Sequence, residues 1–394
     1  MLQKIVRSDT TKAAISALAG AVIYLTDKGS WEKRGRLREV GERFYNINPR
    51  FAKFGLDYLR AYPAQTLKKR AFRKKYGFSP PTSININPGD KCPLACKGCA
   101  TVYERTNKSL PYETVENLAF QLKNLGARKI TFSGGEPLAP DSYKTVYRMI
   151  DKFPHFFFTV FTNGIYMQDD IAALMEEKMN TFVFVSVDGL GEQSDASRGH
   201  NTFKHAVRAM ETLQRHKVAY GVSLTVRKSN YQSVLEDETL RFFEDRDALL
   251  LFYLPFLPFD PSLGDERLTT EEQEFFSTKL EESLSRRKIL GFDYTRPLGQ
   301  PACRAGTRDF YVSSHGDVGP CFAITYSLGN IFKQSLEEII TSPPATAFRK
   351  LKDEKPDQCL AITATEEVLR VAQEHDLSFF SRNIENLGVY QPRM

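Results

Sequence analysis

The chain has 394 residues, 41% of them apolar, and a formal net charge of +6, a globular composition long enough to bury a large core. No apolar run approaches the roughly 18 to 20 residues that a membrane-spanning helix needs, the longest being Ala13 to Leu25. Six cysteines are too sparse for a disulfide scaffold, which points to a reducing compartment and a metal role.

Lys4 and Arg7 give the Ala13–Leu25 run the outline of an export signal, but no small-residue cleavage pattern follows, so a cytoplasmic chain is expected. Further on, Pro49 to Tyr62 places Phe51, Phe54, Tyr58, Leu59 and Tyr62 at helical spacing, Pro63 stops or kinks the helix, and the basic run KKRAFRKK follows. Residues 48–75 carry nine Lys and Arg against Asp57, a net +8, so the remainder of the chain is slightly acidic. An aromatic stripe beside cations fits two readings. It can cap a neighbouring domain with its charges in water, the commoner use, or lie on an anionic membrane, making residues 49–75 a peripheral contact. No recognisable nucleic-acid module accompanies the basic run.

From residue 83 short β-branched or aromatic runs alternate with helical patterns. The strand candidates are Ser83–Asn87, Lys129–Ser133, Phe156–Thr162, Thr181–Val187, Val218–Val226 and Ala248–Leu254; between them Tyr112–Leu125, Asp169–Lys178, Phe203–His216 and Gln232–Glu244 read as amphipathic helices. The fold class is therefore α/β, six βα units with right-handed crossovers curling into an open, partial (βα)6 barrel whose chemistry sits at the C-terminal ends of its strands. The sixth strand runs into LLLFYLPFLPFD, which puts Phe252, Tyr253, Phe256 and Phe259 near the mouth, where they suit an apolar substrate or form a joint with the C-terminal region.

The loop after the first strand, KCPLACKGCA, holds Cys92, Cys96 and Cys99 as C-x3-C-x2-C. Structural zinc wants a fourth protein ligand, and no His or Cys lies near enough in sequence to supply it. A 4Fe-4S cluster held by three thiolates keeps one iron open for a small molecule. The motif resembles that of the radical SAM superfamily, whose open iron is chelated by the amino and carboxylate groups of S-adenosylmethionine. SGGEP after the second strand, with Gly134, Gly135 and Glu136, is similar to the superfamily's GGE motif, in which backbone carbonyls and the Glu meet the methionyl ammonium. FTNGIYM, SVDGLGEQSDASRG and SLTVRKSN are similar to its later strands. The resemblance thereby implies Asn163, Ser186 and Arg198 as cofactor contacts, Ser186 toward ribose or carboxylate and Arg198 toward the carboxylate. Most members carry an aromatic residue before the third cysteine to lie against adenine; this chain has Gly98, and Tyr103 is a substitute to consider.

The stretch from Cys303 resembles the start of the SPASM or twitch extension, with Cys303 and Gly306, a hairpin ending at Cys321, and Gly329–Ile331. By that resemblance Cys303, Cys321 and Cys359 ligate one auxiliary Fe-S cluster, completed by Asp357, another residue or substrate; three thiols exclude two clusters, and the bland alternative is burial. The chain is thus expected to divide into a basic helical region (1–78), the barrel (79–265), a connecting helix and linker (266–300), and a small auxiliary-cluster domain with its tail (301–394). The implied activity is reduction of the first cluster by a flavodoxin or ferredoxin, reductive cleavage of S-adenosylmethionine to a 5'-deoxyadenosyl radical, and hydrogen abstraction from a substrate, read from the aromatic mouth as an apolar lipid or isoprenoid. The motifs name no catalytic side chain beyond the cofactor ligands. One alternative is peptide maturation, which SPASM relatives often perform; another is a non-catalytic Fe-S or zinc protein, which leaves Gly134 to Glu136 without a purpose.

Overall fold

The computed structural model describes residues 43, 46–99, 101, 105–257, 261–285, 287–295, 303–356 and 358–380. The Ala13–Leu25 run, Tyr103, Phe259 and Asp357 lie outside them.

Seven parallel strands form the body of the sheet: β1 (Ser83–Ile86), β2 (Lys129–Phe132), β3 (Phe157–Thr162), β4 (Thr181–Ser186), β5 (Tyr220–Val226), β6 (Leu250–Pro255) and β7 (Leu290–Asp293), paired in that order. The six strands expected from the sequence are all present. The seventh lies within 266–300, after the helix Thr270–Leu284, where its short run LGFD gives little periodic signal. The Gln232–Glu244 segment breaks into a 3-10 turn and the helix Asp237–Glu244, and two helices, Pro140–Lys152 and Glu192–Arg198, join those read from the sequence.

The pleat divides the sheet's residues between two cores. Ile130, Phe132, Phe158, Val160, Val183, Val185, Leu251 and Tyr253 face the surrounding helices and are fully or almost fully buried. Tyr253 therefore leaves the mouth: its ring packs edge-on against Phe276 of the outer helix, 5.3 Å away. The opposite, concave face carries Phe157, Phe182, Phe184 and Leu250, and here the N-terminal region enters.

Helix α1 (Phe51–Arg60) sets Phe51, Phe54 and Tyr58 into this concave face, each at most 7% exposed. Burying three such rings contributes on the order of 1.5–3 kcal/mol each. The stripe is consumed by the sheet, which corrects the reading of α1 as a helix lying on a membrane; among the described residues no helix is long and apolar enough to cross one. Pro63, expected to end the helix, sits in the first turn of α2 (Tyr62–Tyr76), where its missing N–H costs nothing. The basic run is thus a helix, with Arg70, Arg73, Lys74 and Lys75 exposed along it.

The C-terminal segment is not set apart from the barrel sheet. β8 (Asp309–Val312) pairs parallel with β1, then β9 (Asp317–Gly319) and β10 (Gly329–Asn330) follow antiparallel, giving the ten-strand order β10-β9-β8-β1-β2-β3-β4-β5-β6-β7. Cys303 and Cys321 flank β8 and β9, so the second thiol group is carried on the edge of the first domain's sheet.

Candidate active site

The loop 87–99 leaves the C-terminal end of β1 and is held from several sides. Buried Asp90 accepts from the Thr106 amide (2.9 Å), the Thr106 hydroxyl (2.8 Å), the Lys108 amide (2.9 Å) and Ser314 Oγ (3.3 Å). It ties the cysteine loop to the turn after β8. Sequence reasoning missed Asp90, whose only signal was its place two residues before Cys92.

Cys92, Cys96 and Cys99 are all partly buried. Asn163 Nδ2 donates to Cys92 Sγ (3.6 Å), Cys96 Sγ donates to the Arg198 carbonyl (3.5 Å), and Cys99 Sγ meets Thr101 Oγ1 (3.0 Å). Burial pushes the Cys92 thiol up to about 11 and raises that of Cys96, although Arg198 opposes the latter. Burial thus favours the protonated form of Cys92 and Cys96, and a bound metal would supply the charge that ionises them. Among the described residues no three His, Cys, Asp or Glu side chains converge on one point as ligands of a single ion do. Thiols spread along a loop match ligands to different irons of a cluster.

The loop after β2 presses on the same place. A Cβ at Gly135 would sit 2.5 Å from the Lys91 carbonyl, and one at Gly134 would collide with the Asn87 side chain, so this approach requires glycine. Glu136 points elsewhere than expected: its carboxylate, 1% exposed, accepts from Thr162 Oγ1 (2.7 Å), the Asn163 amide (2.8 Å) and the Leu138 amide (3.1 Å). Burial raises it to about 7 despite those donors. Here Glu136 couples β2's loop to β3's end and so fixes Asn163, whose side chain reaches Cys92.

Ser186 and Ser223 are register partners on β4 and β5, with their hydroxyls 2.9 Å apart on the concave face. Arg198 closes the far side. Its Nη2 pairs with Asp188 Oδ1 at 3.0 Å, while its Nε is buried with no hydrogen-bond partner. Asp188, 2% exposed, also accepts from the Thr225 amide (2.9 Å) and Ser197 Oγ (2.8 Å) and faces Arg227 at 3.8 Å. Burial alone would raise its carboxyl, but Arg198, Arg227 and these donors hold it below the usual carboxylate range. Asn230 donates to the Asp188 carbonyl (3.0 Å) and to that of Thr225 (2.9 Å). The residues after β4 and β5 thus form one charge network whose end, the carbonyls of Ser197 and Arg198, grips the Lys97 amide (3.0 Å) and Cys96.

Gly98 has φ of +71°, and a Cβ there would lie 2.5 Å from Cζ and 2.6 Å from Cε2 of Phe256. Phe256, just past β6 and 3% exposed, fills the space a side chain at position 98 would take, and the Arg227 guanidinium lies over its ring at 4.3 Å. A ring from the sixth strand's end thus stands against the position where the motif carries its aromatic residue.

At the second thiol group, Cys303 and Cys359 share a hydrogen bond and Cys321 lies near both. Each sulfur also meets backbone amides: Ala305 and Leu360 at Cys303, Ala323 (3.2 Å) and Ile324 at Cys321, and Ala361 at Cys359. The bond from Cys359 pulls Cys303 down to about 6, whereas burial pushes Cys321 up to about 12. Three neighbouring sulfurs that meet N–H donors suit thiolates bound to different irons of an Fe-S cluster.

A family model of the radical SAM superfamily matches residues 86–238, and one of the SPASM iron-sulfur cluster-binding domain matches residues 303–361. The chain thus carries a radical SAM domain followed by a SPASM domain. Similar proteins include the sporulation killing factor maturation protein SkfB of Bacillus subtilis, 23% identical over 71% of this chain and 69% of that one. The AdoMet-dependent heme synthase of Methanosarcina barkeri is 25% identical over 66% of this chain and 82% of its own length. Among solved structures, Streptococcus suis SuiB bound to S-adenosylmethionine shares the fold with a TM-score of 0.60 at 15% identity, covering 72% of this chain and 71% of that one. Native anSMEcpe with AdoMet and a peptide shares it at 0.58 and 19% identity, covering 75% and 98%. This radical SAM enzyme therefore takes a 4Fe-4S cluster and S-adenosylmethionine, and its SPASM domain implies further Fe-S binding.

Proposed function

We propose that this enzyme removes hydrogen from an apolar group held inside the barrel. Phe161, Phe184 and Phe252 stack along the concave face with ring centroids 4.8 and 5.3 Å apart, and Tyr294 continues the row 4.9 Å from Phe252. That row carries the reading. Phe161 and Phe252 are only partly covered, α1 closes the floor beneath them, and the cysteine loop stands at the strand ends above. Across the same face lie Asn85 and Ser133, joined at 2.6 Å, and Thr159, whose hydroxyl is buried without a partner. Such a surface receives an apolar body and orients one polar end.

In this reading Cys92, Cys96 and Cys99 hold the cluster, Asn163 hydrogen-bonds the Cys92 sulfur, and Gly134 and Gly135 offer backbone to the cofactor's ammonium. Arg198, whose buried Nε has no hydrogen-bond partner, meets the carboxylate, and Ser186 meets ribose. When bound and reduced by one electron, the cofactor pair supplies a 5'-deoxyadenosyl radical that takes hydrogen from carbon. An acidic donor of the flavodoxin or ferredoxin type suits the exposed cations of α2.

With cluster reconstituted and a perdeuterated apolar substrate added, deuterium is expected in 5'-deoxyadenosine. Phe252→Ser is expected to keep cofactor cleavage while losing that transfer. Cleavage by a Cys96→Ala protein would sink the assignment. Peptide maturation is the second reading, favoured by relatives described as maturation proteins, SkfB and the subtilosin biosynthesis protein AlbA. Label transfer from a precursor peptide, and none from apolar small molecules, would select it.

A further inference from the structure

The helix Pro343–Glu354 serves both arms of the second thiol group. Phe348, fully buried, packs on Gly306, three residues after Cys303; a Cβ at Gly306 would stand 3.1 Å from that of Phe348. One turn further along the same face is Lys352. Its Nζ donates to the Lys355 carbonyl (2.8 Å) and to the Pro356 carbonyl, on the segment that leads into Cys359. The Gln358 amide returns to the same Lys355 carbonyl at 3.3 Å. Arg349, on the same helix, has other work: it donates to the Ile340 carbonyl at 2.6 Å and lies over the Phe78 ring at 3.7 Å.

Lys352 is only 5% exposed, and lysine is almost never buried unless paired. Among the described residues no carboxylate pairs with it, so its charge meets only the two neutral carbonyls. A buried ammonium without an anion is costly, and the cost falls when negative charge arrives nearby. Thiolates of an Fe-S cluster bring such charge. The charge of Lys352 reaches Cys303: with the hydrogen bond from Cys359 and the Leu360 and Ala305 amides, it helps to hold that thiol low against burial. A lysine that only capped the end of its helix could do so from an exposed position, as burial adds nothing to a cap.

We infer that Lys352 is a positioning residue for an Fe-S cluster of the SPASM region: it pins the segment before Cys359 and sets a fixed positive charge near the cluster's thiolates. The inference rests on the Fe-S binding that the SPASM domain implies and is independent of the substrate proposed above. The hydrogen bonds hold the third thiol in place, and the charge favours the electron-rich, reduced form of the cluster.

The test uses the full chain with its clusters reconstituted and needs no substrate. The second cluster's electron paramagnetic resonance signal is the one that S-adenosylmethionine leaves unchanged and Cys303→Ala removes. Lys352→Gln keeps a donor but loses the charge. It is expected to retain the second cluster's iron while the midpoint potential, from redox titration of that signal, falls by about 59 mV or more, a tenfold change for a one-electron couple. Lys352→Arg, which keeps the charge, should titrate close to the unaltered protein, as should Lys350→Gln, on the exposed side of the same helix. Lys352→Ala, which loses donor and charge together, should lose iron from the second site while the first cluster still binds S-adenosylmethionine. A lysine with a merely structural role would not separate Lys352→Gln from Lys352→Arg by potential. Equal potentials in those two variants overturn the inference, as does undiminished second-site iron in Lys352→Ala or the absence of a second signal from the unaltered protein.

Discussion

Placing a side chain at Gly98 tests whether Phe256 has replaced the motif's own ring. An L-residue at φ of +71° costs about 1–2 kcal/mol, and driving aside a ring that stands 2.5 Å from the new Cβ adds about 1–3 kcal/mol. Gly98→Ala is therefore expected to lose roughly 2–5 kcal/mol. Phe256→Ala, emptying a site only 3% exposed, should lose about 3–5 kcal/mol. In the double variant the clash is gone, so its loss should fall short of the sum by about 1–3 kcal/mol. Chemical denaturation of the metal-free chain, followed by near- and far-ultraviolet dichroism together, measures this coupling. The functional arm exchanges the rings: Gly98→Phe with Phe256→Gly should bind S-adenosylmethionine more tightly than either single variant, read as the change it causes in the cluster's electron paramagnetic resonance. Losses that add within about 0.5 kcal/mol, with no recovery in the exchanged protein, would refute the compensation.

Asp188→Asn strips Arg198 and Arg227 of their shared counterion in a buried network, so a loss of about 3–5 kcal/mol is expected in denaturation, together with weaker S-adenosylmethionine binding. Glu136, raised to about 7 in the folded chain, favours the neutral form there; its contribution is complete below the ordinary carboxylate value and is lost as pH rises through 7. The stability of the metal-free chain should accordingly fall between pH 5 and 8 by up to about 3 kcal/mol more than that of Glu136→Gln. Phe54→Ala should destabilise by about 3–5 kcal/mol because its ring packs on the sheet, whereas a helix lying on a membrane would leave unfolding unchanged. Cys303→Ala should remove the second cluster's signal and its iron while the first cluster still binds S-adenosylmethionine.

Much of the site was legible because its pieces are local. Cys92, Cys96 and Cys99 share one loop, Gly134 to Glu136 another, and strand ends place both at one mouth, so spacing and period sufficed. Roles were less legible than positions. The motif directs Glu136 toward a ligand, yet its carboxylate is spent on Thr162, Asn163 and Leu138, because a buried carboxylate near backbone amides takes the closest donors. Asp188 is only part of a strand-end motif until Arg198 and Arg227, from separate segments, meet on it.

The amino-acid order alone determined the six-strand α/β barrel, the three-thiol loop and the family they imply, since hydrophobic period and motif spacing are properties of neighbouring residues. Tertiary structure decided what depends on distant residues meeting. It spent the aromatic stripe of α1 on the barrel floor and hydrogen-bonded β8 to β1 across more than 200 residues of chain. It also set Phe256 against Gly98, a pairing whose two halves lie on different strands' loops and which only a steric contact could reveal.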